Sequence, residues 1–196
     1  MATTHASAPI AAAPQTKYSV ALVDGYLPIL RQYWEQAPPE PEDISKLVLH
    51  GHLAALEAFQ IAPAVYKLHG RAYCAIAAEY GHLALLQGLI AYGCRPIDGD
   101  ICHLAATGGH LATLRWARKN AFPWDKWTCE QAAKGGHLEV LQWLHAQGCP
   151  WTEITCTVAA EYGRFEVLKW ARANGCPWSE DTCTYAAANG HFEILQ

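Results

Sequence analysis

An all-α solenoid of stacked helix-turn-helix units, joined by short loops, is the fold class this sequence predicts, on three observations. First, the chain repeats itself. The stretch W-T-C-E-Q-A-A-K-G-G-H-L-E-V-L-Q-W-L-H-A-Q-G-C-P-W, Trp127 to Trp151, returns 27 residues later from Ile154 to Trp178 and starts again at Asp181. A period of roughly 20–50 residues marks architectures whose units bury their apolar faces only by stacking on neighbours. Second, seven glycines (Gly25, Gly51, Gly81, Gly109, Gly136, Gly163 and Gly190) are spaced 26, 30, 28, 27, 27 and 27 residues apart, so the array occupies 17–196. Third, each full unit carries the start and stop signals of two short helices.

The first sixteen residues are small and uncharged with two prolines, and predict a disordered tail over 1–16. They lack the arginines and amphipathic pattern of a transit peptide and the basic start of a signal peptide. The next two units, V-A-L-V-D-G-Y-L-P-I-L-R-Q-Y-W and K-L-V-L-H-G-H-L-A-A-L-E-A-F, are degenerate, as terminal repeats facing water are expected to be. Prolines make a loop of Ala37 to Asp43, with Asp43 or Ser45 capping the helix that follows. G-C-R-P at Gly93 to Pro96 replaces G-C-P, so Arg95 is the inserted residue of the 28-spaced unit.

The unit from Asp125 shows the helical logic. Asp125, Thr152 and Ser179 share one phase and can cap a helix by accepting an unpaired backbone N–H. The first helix is predicted over roughly Lys126 to Gly135, with Cys129, Ala132 and Ala133 on one stripe and Gly136 as its stop. The second runs from about Leu138 to Gln147, with Leu138, Leu141 and Leu144 as its apolar stripe, widened by Val140 and Trp143, and Gly148 and Pro150 ending it. The Leu138 phase is Leu83, Leu111, Leu138, Phe165 and Phe192; the Leu141 phase is Leu86, Leu114, Leu141, Leu168 and Leu195. The chain stops one residue before the phase of Trp143 and Trp170, which reads as a last unit cut mid-helix in a fragment of a longer array.

Composition narrows the class. Apolar residues make up 52% and charged residues 16%, a globular balance, and a net charge of −4 with scattered Lys and Arg gives no nucleic-acid signal. No apolar run approaches the roughly 18 residues of a membrane span.

These residues resemble ankyrin repeats. C-H-L-A-A-T-G-G-H-L at Cys102 to Leu111 is similar to that family's T-P-L-H-x-A-A-x-x-G-H signature: His103 falls on the signature His, Ala105 and Ala106 on the paired alanines, and Gly109 and His110 on the Gly-His. A-A-x-x-G-H also occurs at Ala77 to His82 and Ala132 to His137, and around Ala187 to His191. The resemblance spans about 18–196. Ankyrin units run about 33 residues; the missing six fall where the family has a β-hairpin finger, and the Thr-Pro is absent. The short Cys- and Trp-rich form is similar to ankyrin-like arrays of protists and large DNA viruses. The resemblance implies a module that binds a partner protein on its concave helical face.

The chemistry-bearing residues form ladders. Cys74, Cys102, Cys129, Cys156 and Cys183 recur at 28 and then 27 residues, and Cys94, Cys149 and Cys176 make a second series. Stacked helices lie about 8–10 Å apart, too far for a disulfide, which needs Cα atoms within about 7 Å, and zinc-type C-x-x-C spacing is absent. The first ladder is read as small buried apolar residues in a reducing, cytoplasm-like compartment; a cross-ladder pair such as Cys149 with Cys156 stays open. His52, His82, His110, His137 and His191 share a phase with Tyr26 and Arg164, which fits a tie between units rather than a catalytic or metal-binding group. Trp116, Trp143 and Trp170 lie on the second helix, and Trp124, Trp151 and Trp178 in the loop, packing beneath it or exposed as hot spots.

No catalytic constellation, metal site or cofactor motif emerges. The expected function is non-catalytic protein binding: a rigid frame presenting the side chains that change from unit to unit. By helical phase these lie outward on the first helix: Asp100, Trp127, Ile154 and Asp181; His103, Glu130, Thr157 and Thr184; Thr107, Lys134, Glu161 and Ala188; and Gln131. The partner is expected to be another protein, without nucleic acid, membrane or metal. The alternative is a structural spacer or scaffold arm of a larger protein.

Overall fold

The computed structural model describes residues 21, 24–25, 27–34, 39–58, 63–97 and 99–195, so the expected tail lies outside the described residues. The chain forms two compact units, Met1–Ile61 and Ala62–Gln196. No strand occurs among the described residues.

The first unit holds α1 (Leu27–Trp34), α2 (Pro41–Leu49) and α3 (Leu53–Ala58). Helices α2 and α3 pack together, burying Ile44, Leu47, Val48 and Leu56. The cap of α2 differs from the expected Asp43 or Ser45. Glu40 is the N-cap, Pro41 opens the helix, and Asp43 Oδ2 accepts the Glu40 N–H at 3.1 Å. Proline is well placed there, because the N–H it lacks would have had no helical partner.

The second unit alternates two helix types. The first helices are α4 (Pro63–Glu79), α6 (Asp100–Thr107), α8 (Lys126–Gly135), α10 (Glu153–Glu161) and α12 (Glu180–Ala188). Their partners are α5 (Leu83–Ala91), α7 (Leu111–Lys119), α9 (Leu138–Ala146), α11 (Phe165–Ala173) and α13 (Phe192–Leu195). Successive first helices pack side by side, each packs on its own second helix, and α9 packs on α11.

Alanine pairs make the close row possible. Ala77 and Ala78, Ala105 and Ala106, Ala132 and Ala133, and Ala159 and Ala160 are all fully buried. Behind them Leu86, Leu114, Leu141 and Leu168 fill the layer to the second helices. The Leu138 phase is half-buried and Phe192 is 67% exposed, so the buried stripe of α9 is Val140, Leu141 and Leu144.

The caps repeat too. Asp125 Oδ1 accepts the Trp127 N–H at 2.9 Å, and Thr152 Oγ1 accepts the Ile154 N–H at 3.3 Å. The Thr of the first two T-C pairs returns the bond: Thr128 and Thr155 Oγ1 accept the Asp125 and Thr152 N–H groups, both at 3.4 Å. Ser179 occupies the N-cap of α12 without a side-chain capping bond. At the other end, Gly136 adopts φ 81°, and the His137 N–H reaches back to the Ala132 carbonyl at 3.0 Å. That bond satisfies a terminal helical carbonyl and aims the chain into α9.

Candidate partner-binding face

The frame comes first, because it decides which side chains are left over. The histidine ladder ties units together. His110, His137 and His191 donate from Nε2 to the carbonyls of Glu79, Thr107 and Glu161, at 2.8, 2.8 and 2.9 Å. Arg164 makes the same tie from Nε to the Lys134 carbonyl at 2.9 Å, so both residue types serve as N–H donors at this phase. Each donor lies over the anchor glycine of the unit before. A Cβ on Gly109 would sit 2.5 Å from the His137 ring, and one on Gly163 2.6 Å from that of His191.

Loop tryptophans belong to the frame as well. Trp124 packs edge-on against Trp143 at 5.7 Å with the Arg118 guanidinium 4.0 Å from its ring centre. Trp151 stacks on His145 at 4.0 Å and meets Trp170 edge-on at 5.8 Å. Trp178 lies under Arg172 at 4.5 Å. All three are half-buried.

The cysteines are free thiols, buried except for Cys183. No disulfide joins the two ladders, Cys149 with Cys156 included; within one unit the Cys129 thiol instead reaches the Cys149 carbonyl at 4.0 Å. The second ladder also pins consecutive loops. The Cys149 thiol donates to the Asp125 carbonyl at 3.3 Å and the Cys176 thiol to the Thr152 carbonyl at 3.4 Å. Burial pushes the Cys74 thiol up to about 12 and that of Cys102 to about 11. Hydrogen bonding to Cys149, with burial, raises Cys129 far above the ordinary thiol range. Among the described residues no three His, Cys, Asp or Glu side chains are grouped to hold a metal.

The residues that vary from unit to unit lie on the first-helix row, in two roles. His103, Thr107, Gln131 and Glu130 face the seams between helices. His103 Nε2 donates to Asp125 Oδ1 at 2.9 Å, fastening α6 to the cap of α8. Thr107 Oγ1 donates to Gln131 Oε1 at 3.3 Å. Glu130 is half-buried; its Oε1 has no hydrogen-bond partner among the described residues, and burial pushes its carboxyl above the usual range. Thr157 Oγ1 meets Thr182 Oγ1 at 3.3 Å, and the Lys134 ammonium lies 4.9 Å from the Tyr162 ring centre.

The second group points into solvent. Trp127 is 58% exposed and Ile154 41%, at one register of adjacent helices, and Asp181 and Thr184 are exposed on α12. Asp100 and Glu161 are half-buried at groove edges. One groove of about 410 Å³ runs between α6 and α8, with Asp100, Leu104 and Trp127 in its walls. Another of about 440 Å³ lies between α10 and α12, walled by Ile154, Val158, Glu161 and Tyr185. Leu104, Val158 and Tyr185 were not singled out from sequence, although they share the phase of Gln131 and differ in every unit.

Comparison with known proteins bears on the fold. Residues 102–147 match the sequence model of ankyrin repeats (many copies). No curated protein is similar enough in sequence to match. Among solved structures, the chain is similar to the human ASB11 ankyrin repeat domain, with a TM-score of 0.58 and 16% identity over 82% of this chain and 84% of that one. Ankyrin repeats are generally protein–protein interaction modules, and proteins built from them are typically non-enzymatic. Residues 102–147 are therefore similar to ankyrin repeats, and the described chain has the fold of an ankyrin repeat domain.

Proposed function

We propose that this protein binds another protein through the row formed by α6, α8, α10 and α12. The observation that carries the reading is the exposure of Trp127 and Ile154 at one register of neighbouring, well-packed helices. Fully burying a large apolar side chain is worth roughly 1.5–3 kcal/mol, and the free protein leaves part of that gain unrealised at both positions. Tryptophan is also the residue type most often found at interface hot spots. The His, Cys and loop Trp ladders hold the helices, varying seam residues such as His103 and Thr107 add ties between them, and the outward varying positions supply contacts. Glu130, Gln131, Lys134, Thr157 and Glu161 shape the seams between anchors; Asp100, Asp181 and Thr184 form the polar rim.

Site-directed photo-crosslinking tests this. A photoreactive residue at position 127 should capture a cellular partner, whereas one at Gln142, exposed on α9, should not. Affinity for the captured partner should fall about tenfold or more in the Trp127→Ala, Ile154→Ala double variant. An unchanged affinity would place binding on another surface.

A further inference from the structure

From α6 to α12, charge is divided between the two helix rows of the second unit. The first helices α6, α8, α10 and α12, with their N-cap residues, carry seven carboxylates, from Asp100 to Asp181, against Lys126 and Lys134. The second helices α7, α9 and α11, with theirs, carry six basic residues, from Arg115 to Arg172, against Glu139 and Glu166. Among the described residues, no Lys, Arg or His forms an ion pair with Asp100, Glu153, Glu161, Glu180 or Asp181. Their field is therefore directed at whatever approaches the row. A surface lined by one sign of charge raises the local concentration and on-rate of oppositely charged ligands.

Apolar side chains stand within this acidic row. Trp127 (58% exposed) borders the groove between α6 and α8, and Ile154 (41%) with Tyr185 (45%) borders the one between α10 and α12. The two grooves are two helix spacings apart, roughly 16–20 Å at about 8–10 Å per packed helix. An extended chain covers that distance in about five or six residues.

We infer that the occupant of the first-helix row is a basic, extended segment of a partner protein, with two apolar side chains about five or six residues apart seated at Trp127 and at Ile154 and Tyr185. This rests on the reading that the row binds protein, and adds the chemistry of what it binds. Lysines and arginines of the segment meet the unpaired carboxylates, and the apolar pair fills the grooves.

Selection of random peptides of about 16 residues, displayed on phage, against the intact chain tests it, with the Trp127→Ala, Ile154→Ala variant as counter-screen. Enriched peptides should be net basic, carry two large apolar residues at about that spacing, and bind the variant about tenfold or more weakly. Raising salt from about 0.1 to about 0.5 M should weaken them, since exposed charges are then screened over a shorter distance. Acidic or neutral peptides that still lose affinity for the variant would overturn the inference and leave the binding face intact. Basic peptides indifferent to the variant would overturn both. Failure to enrich any peptide would overturn the inference alone, because a short segment is what it names. Salt-sensitive self-association that the variant abolishes would also overturn it, naming the basic second-helix row of another copy as the occupant.

Discussion

Thr113 occupies a position that its sister units fill with Leu85, Val140 and Val167. It is 1% exposed, and its hydroxyl has no hydrogen-bond partner among the described residues. An unsatisfied buried hydroxyl costs about 1–3 kcal/mol. Thr113→Val, which keeps the shape and removes the hydroxyl, should stabilise the protein by about 1 kcal/mol, read as a higher urea midpoint at unchanged slope; a lower midpoint would mean that the hydroxyl has a partner after all. The thiols make a second residue-scale case. The thiolate is the reactive form, and burial holds Cys74 and Cys102 protonated at neutral pH. A thiol reagent at pH 7 should therefore label Cys183 quickly and the seven buried cysteines only as the chain opens. The pH dependence has a definite sign. An unfolded thiol titrates near about 8.5, while Cys102 in the folded chain is raised to about 11. The stability this contributes is complete below about pH 8.5 and is lost as pH rises through about 11. Unfolding free energy should fall over that window, less steeply in Cys102→Ala; equal slopes for the two proteins would contradict the shift.

At the scale of the helix end, Ala121 is the exception among repeated stops. It has φ 61° where Gly93, Gly148 and Gly175 have 90°, 76° and 82°. A left-handed conformation costs an L-residue roughly 1–2 kcal/mol, partly offset by glycine's greater freedom in the unfolded chain, about 0.5–1 kcal/mol. Ala121→Gly should therefore stabilise by about 0.5–1 kcal/mol, measurable as a raised midpoint; no change would show that the α7 end already relaxes its strain. A Cβ on Gly148 meets nothing within 4 Å, so Gly148→Ala should show the backbone term alone. The same ends explain what could be read from sequence. Helix α8 spans Lys126–Gly135, as expected, because Asp125 and Gly136 are unambiguous signals with local causes. Glu40 was missed because Pro41 reads as loop punctuation and also as a helix opener. Of the expected α9 stripe, Val140, Leu141 and Leu144 are buried and Leu138 is not, because a helix turns about 100° per residue and steps of three drift, leaving Leu138 at the flank of the buried arc. Tyr185, Leu104 and Val158 were overlooked because exposure depends on how far apart adjacent helices sit, which one unit's pattern does not contain.

Across the second unit, stability should divide into intrinsic terms for each helix pair and terms for each seam, since the main packing among the described helices runs between neighbours. The repeat period made this legible from sequence; the charge division between rows became visible only once the helices were paired. The seam between α6 and α8 offers a clean test. His137 contributes its Nε2–H bond to the Thr107 carbonyl at 2.8 Å, and its ring lies against Gly109 and Gly135. His137→Ala removes both and leaves that carbonyl unpaired, at a cost of about 1–2 kcal/mol. A loss confined to one seam lets the helices on either side open separately. The variant should unfold over a broader urea range than the parent, and amide exchange should quicken most in α6 to α9. A sharp transition shifted as a whole, with every amide accelerated by one factor, would show that the unit is too cooperative for seams to act alone. His137→Arg separates the tie from the ring. Arg164 makes the same bond over Gly136, so arginine at position 137 should restore most of the lost stability and return the transition to its parental width.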